Sequence, residues 1–165
     1  METRTLTETQ TAAWNSFQRM RTRLTGQLNR ELARATGLSE ADFEILTALV
    51  ARPDEPVRAL ALRCGLDWEK SRLSHQLRRM EQRGLVVRGD CAEDNRGAVV
   101  RITEAGRAQA EAARLVHEQA VHRYVCAALT PEQLATLGDI SDAVLAALDV
   151  AQQACPLDPD LPSCE

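Results

Sequence analysis

Three features of the sequence predict a mainly α fold with a small β-hairpin wing: a winged helix-turn-helix flanked by N- and C-terminal dimerisation helices. The first is a short helical segment, residues 68–83, with a narrow apolar back and a cationic front. The second is a pair of β-rich runs directly after it, joined by a polar tip. The third is a long apolar-striped helical segment on each side of that unit, more apolar surface than a small three-helix module can cover.

The first helix is expected over residues 8–35. Trp14, Phe17, Met20, Leu24, Leu28 and Leu32 recur at spacings of three and four, with Arg19, Arg21, Arg23 and Arg30 off the stripe. A stripe of that length predicts part of a dimer interface. Gly37 ends the helix, and Ser39 caps a second one whose first turn holds Glu40 and Asp42. Phe43, Leu46, Leu49 and Val50 are its expected buried face. A third helix over residues 57–64 packs Leu60 and Leu62 before Gly65.

The fourth helix carries the front. With Leu73 as the zero of a helical wheel at about 100° per residue, Leu77 and Met80 fall beside it, while Ser71, Arg72, His75, Arg78, Arg79 and Gln82 lie opposite. Its start has two readings. Asp67 is the better chemical cap, whereas a cap at Glu69 makes Trp68 and Leu73 a hydrophobic staple; either way Trp68 reads as packing. Arg83 and Gly84 mark the end. Strands follow at residues 85–88 and 98–103, around the polar segment CAEDNRG. Thr103 and Glu104 open a fifth helix to about residue 129, and Pro131 sits at the first position of a sixth. Leu134, Leu137, Ile140, Val144, Leu148 and Ala151 stripe that last helix. The expected organisation is residues 1–37 for N-terminal dimerisation, 38–103 for the DNA-binding region, 104–154 for C-terminal dimerisation and 155–165 as a disordered acidic tail.

Charge distribution matters more than its total. The 165-residue chain carries a net −4, yet residues 57–101 hold ten basic side chains against six acidic ones. Residues 124–165 hold seven acidic and no basic ones. A positive face on an acidic protein is what a nucleic acid meets. Donors on the fourth helix (Ser71, Arg72, His75, Arg78) suit base edges, and Arg79 and Arg83 on its flank suit phosphates. Arg96 beside Gly97 in the hairpin tip suits the minor groove.

The segment KSRLSHQLRRMEQRGLV, then Asp94-Asn95-Arg96 in the tip and RITEAG at residues 101–106, resembles the MarR family of bacterial transcriptional regulators over residues 38–106. The resemblance implies that Asp94 orients Arg96 in a minor groove. It implies a homodimer on a pseudo-palindromic double-stranded operator, acting as a repressor that releases DNA on binding a small aromatic or phenolic effector. Trp14, Phe17 and Arg21 are the candidate lining of the effector pocket. Two alternatives belong to other classes: a thiol-based redox switch through Cys91, and a dimeric helical adaptor without DNA binding.

No enzyme, cofactor or metal site is expected. His117 and His122 are five apart and do not share a helix face as the zincin motif requires. The five cysteines, Cys64, Cys91, Cys126, Cys155 and Cys164, are irregularly spaced and imply no disulfide framework; Cys64 reads as a small core hydrophobe. The residues 1–10 lack a signal-peptide core and no apolar run reaches membrane-spanning length, so a cytoplasmic location is expected.

Overall fold

The structure is a computed structural model and describes residues 5–52, 55–90 and 98–151. Asp94, Arg96, Cys91 and the tail with Cys155 and Cys164 lie outside the described residues. Helix α1 spans Glu8–Thr36, α2 Glu40–Val50, α3 Ala59–Gly65, α4 Lys70–Gln82, α5 Glu104–Val121 and α6 Pro131–Ala151. Strands β1 (Val57–Arg58), β2 (Val86–Asp90) and β3 (Ala98–Ile102) form an antiparallel sheet in the order β1-β3-β2. Among the described residues no helix is long and apolar enough to cross a membrane.

Local chemistry sets the boundaries. Thr7 and Gln10 make a reciprocal capping box at the start of α1, and Gly37 closes the helix at φ 70°, a left-handed conformation that glycine adopts without a Cβ clash. Ser39 and Asp42 repeat the capping box on α2. Strand β1 corrects the expected third helix, which begins two residues later. Val57 pairs with Val100 and Arg58 with Val99, so these residues complete the sheet's hydrogen bonding before the chain turns helical.

Between α3 and α4, Asp67 takes φ 52°, a left-handed value that aspartate tolerates better than most residues. The Trp68 backbone N–H then donates to Arg63 O at 3.0 Å, closing the turn. Asp67 therefore does not cap α4. Glu69 holds the cap position without a side-chain cap bond, and Trp68 and Leu73, both buried, occupy the staple positions.

The core gathers Ile45, Leu46, Leu49, Leu62, Leu73, Leu77, Met80, Val86 and Val100, joined by Leu32 from α1 and Ala110 and Ala113 from α5. Phe43 is only half-buried, and Val50 and Leu60 are exposed, contrary to the expected faces of α2 and α3. Ile45 takes the fully buried place instead, where α2 packs against α5, the sheet and α4.

Thr103 ties α5 to the hairpin. Its hydroxyl caps Gly106 N at 2.9 Å and lies 2.7 Å from Gly84 O, and its N–H donates to Leu85 O at 3.1 Å. A Cβ at Gly106 would stand 2.1 Å from Leu85 O, so only glycine permits that approach.

Helix α5 stops at Val121, earlier than expected. Residues His122–Cys126 form a π-helical segment whose wider turn brings Tyr124 onto α1, where its hydroxyl donates to Glu31 and accepts from Gln27 at 3.1 Å. Cys64 is half-buried and disulfide-bonded, which corrects its reading as a small apolar filler.

Much apolar surface stays uncovered in the single chain. Trp14 is 51% exposed and Ile140 58%, and Phe17, Met20, Val144, Leu145 and Leu148 are exposed with them.

Candidate nucleic-acid interface

Helix α4 is held from behind and open in front. Leu73, Leu77 and Met80 are buried, whereas Ser71, Arg72, His75, Arg78, Arg79 and Arg83 are exposed. Ser71, His75 and Arg78 make no hydrogen bond or ion pair with any described residue, so their polar groups face solvent. The guanidinium of Arg72 lies 3.9 Å from the Trp68 ring centroid. That stacking limits its swing while leaving the edge of the guanidinium exposed.

Behind this front lies a polar clamp that the hydrophobic pattern did not reveal. Asp42 is 2% exposed and Gln76 is 3% exposed. Gln76 Nε2 donates to Asp42 Oδ1 at 2.6 Å. Arg83 donates to Asp42 Oδ2 at 2.8 Å and to Gly37 O at 3.0 Å. Ser39 adds its backbone N–H and its hydroxyl, each 2.9 Å from Asp42 Oδ2. Gln76 Oε1 in turn accepts from Arg79.

Burial works against the Asp42 carboxylate. The Ser39 hydrogen bonds and the bond and charge of Arg83 outweigh it and hold its pKa below the ordinary value. The amino end of α2 is thus locked to the carboxyl end of α4, and Arg83 serves that lock. Arg83, the expected phosphate contact, is paired with Asp42 in this chain while its side chain stays 42% exposed.

A second lock joins the hairpin to α4. Arg88 on β2 pairs with Glu81 at 2.7 Å, and its backbone N–H donates to the same carboxylate at 3.1 Å. These bonds hold the Glu81 carboxyl below its usual pKa. The aim of the hairpin is therefore tied to the helix. Arg101, on β3, is exposed beside it.

A cavity of about 170 Å³ lies between α1, α2 and α5. Leu28 and Leu32, Phe43 and His117, and Glu40 and Glu44 line it. Trp14, Phe17 and Arg21 do not; they sit on the amino-terminal half of α1, where the Trp14 and Phe17 rings stack on each other at 5.7 Å.

A helix of cations and hydrogen-bonding groups, backed by a core and followed by an antiparallel hairpin, defines a winged helix-turn-helix module. No protein-family model and no curated protein matches the chain. Among solved structures it is similar to AbsC, a MarR family transcriptional regulator from Streptomyces coelicolor, at 33% identity and a TM-score of 0.81, over 89% of this chain and 99% of that one. It is similar to a second MarR family regulator of that organism, solved in complex with DNA, at 32% identity and a TM-score of 0.84, over 99% of both chains. CouR from Rhodococcus jostii, solved bound to p-coumaroyl-CoA, shares the fold at 22% identity and a TM-score of 0.66, over 79% of this chain and 87% of that one. The chain belongs to the MarR family of transcriptional regulators.

Proposed function

We propose that this chain is a cytoplasmic, non-enzymatic repressor that binds a pseudo-palindromic operator as a homodimer and responds to a small ligand. The observation that carries the reading is the division of α4 into a buried apolar back and an exposed front bearing Ser71, Arg72, His75 and Arg78. Such a front reaches base edges in the major groove, arginine's fork suiting guanine and the His75 ring nitrogens able to donate or accept a hydrogen bond. Arg79, steadied by Gln76, suits a phosphate. By the family resemblance, Asp94 and Arg96 supply the minor-groove contact of the wing.

The exposed stripes of α1 and α6 support the dimer. In one chain they leave Trp14, Phe17, Ile140, Val144 and Leu148 in water, and a second copy is the natural cover. Two copies then place two α4 helices on half-sites about one helical turn apart, roughly 34–36 Å. The 170 Å³ cavity is the ligand pocket in this reading, since it lies where α1 meets the DNA-reading module.

Genome-wide mapping of bound DNA tests the whole reading. It should recover an inverted repeat, and the purified chain should bind that repeat far more tightly than scrambled DNA at matched salt. Equal affinity for both would remove sequence-specific regulation.

A further inference from the structure

The cavity has a chemistry of its own. Its floor is apolar, from Leu28 and Leu32, and one wall is the Phe43 ring, with the His117 ring 5.1 Å away and tilted by 36°. A space of about 150 Å³ is enough for one benzene ring, so 170 Å³ takes a single ring with a short polar head. The polar side of the cavity is acidic. Glu40 and Glu44 stand four residues apart on one face of α2, and among the described residues no lysine or arginine lines the space.

Glu40 accepts a hydrogen bond from Asn29 Nδ2 at 2.7 Å. Glu44 has no hydrogen bond or ion pair among the described residues. Burial and the neighbouring Glu40 charge raise the pKa of Glu44 above the usual range, against an opposing pull from Arg72. An anionic ligand entering here would meet two carboxylates and, among the described residues, no lysine or arginine, with His117 the one basic side chain in the lining. A cation would relieve their repulsion and face the Phe43 ring as well.

We propose that the cavity between α1, α2 and α5 takes a single-ring aromatic cation, of the amidine or ammonium class, with its ring over Phe43 and its charge against Glu44 and Glu40. This rests on the reading of the cavity as the ligand pocket, and it fixes the ligand's charge as positive, unlike a phenolic acid.

Three probes of nearly one shape and different charge test the proposal on the full chain: benzamidine, benzamide and benzoate. Binding is read as a concentration-dependent rise in melting temperature and by calorimetric titration. Benzamidine should bind best and benzoate least. Glu44→Gln should weaken benzamidine by about fivefold or more and bring it close to benzamide, with the ligand-free melting temperature not lowered, since the change relieves the Glu40–Glu44 repulsion. Phe43→Leu should weaken benzamidine and benzamide together, a second readout that does not depend on the carboxylates. Benzoate binding as tightly as benzamidine, Glu44→Gln leaving benzamidine unaffected, or no binding by any probe overturns the proposal. Operator affinity measured on the ligand-free protein reports the DNA reading separately. If benzamidine binds as expected and operator affinity does not change, the cavity's chemistry stands and its role as the effector site falls.

Discussion

Replacing Asp42 by alanine tests how the recognition front is held. The change removes the reciprocal half of the α2 capping box, the bond from the Ser39 N–H to the Asp42 carboxylate, worth up to about 1 kcal/mol, while the Ser39 hydroxyl still caps the residue-42 N–H. It also leaves the buried Gln76 amide without its acceptor, at about 1–3 kcal/mol. The Arg83 side chain is 42% exposed and rehydrates when freed, so the ion pair itself adds less than about 1 kcal/mol. The expected destabilisation is roughly 2–4 kcal/mol, a fall of roughly 5–15 °C in melting temperature for a chain of this size. Circular dichroism during heating, with urea unfolding as a second measure, reads it. Operator affinity should fall as well, because α4 loses its tether to α2. Asp42 has a depressed pKa in the fold, so its contribution is present above the unfolded value and is lost as pH falls through the folded one. Wild type and variant should therefore converge in stability at strongly acid pH. A melting temperature within about 2 °C of wild type near neutrality would refute the clamp as a source of stability.

Gly106→Ala should destabilise by about 1–3 kcal/mol or more in urea unfolding, since its Cβ meets Leu85 O at 2.1 Å and backbone cannot step aside cheaply. Light scattering at micromolar concentration should give twice the 18.2 kDa chain mass, and a monodisperse single chain would remove the dimer. Arg78→Ala should lower operator affinity more than affinity for scrambled DNA, whereas Arg83→Ala should lower melting temperature and leave the salt dependence of binding unaltered; the reverse pattern would put Arg83 on a phosphate. Arg96→Ala should cost about 1–3 kcal/mol of operator binding with no change in melting temperature, and an unchanged dissociation constant at fixed salt would take the wing out of recognition.

The sequence disclosed what periodicity and caps can carry. Leu73, Leu77 and Met80 are buried, Ser39 caps α2, Gly37 ends α1 and Thr103 opens α5. It disclosed less where tertiary partners decide. Val57 and Arg58 form a strand only because Val99 and Val100, far along the chain, present an open edge. The π-helical turn depends on Glu31 and Gln27 reaching Tyr124 from α1. The cavity against Phe43 and His117 was not legible either, since three helices must converge to make it.

The clamp shows why polar residues escape a pattern read along one helix. Gln76 lies on the flank of the Leu73 and Leu77 stripe, and on sequence alone it is a hydrophilic interruption. Only α2, crossing behind α4, supplies the carboxylate that makes its burial tolerable. The same crossing decides which arginines face outward. Arg83 and Arg88 each meet an acidic partner, Asp42 and Glu81, while Arg78 at the centre of the front meets none among the described residues. A charge count over residues 57–101 treats these side chains alike. The fold pairs Arg83 at the end of α4 and Arg88 on β2 with carboxylates and leaves Arg78, at the middle of α4, facing solvent. The positive field is therefore concentrated on the part of the helix that fits a groove, which makes it an instrument of register as well as attraction.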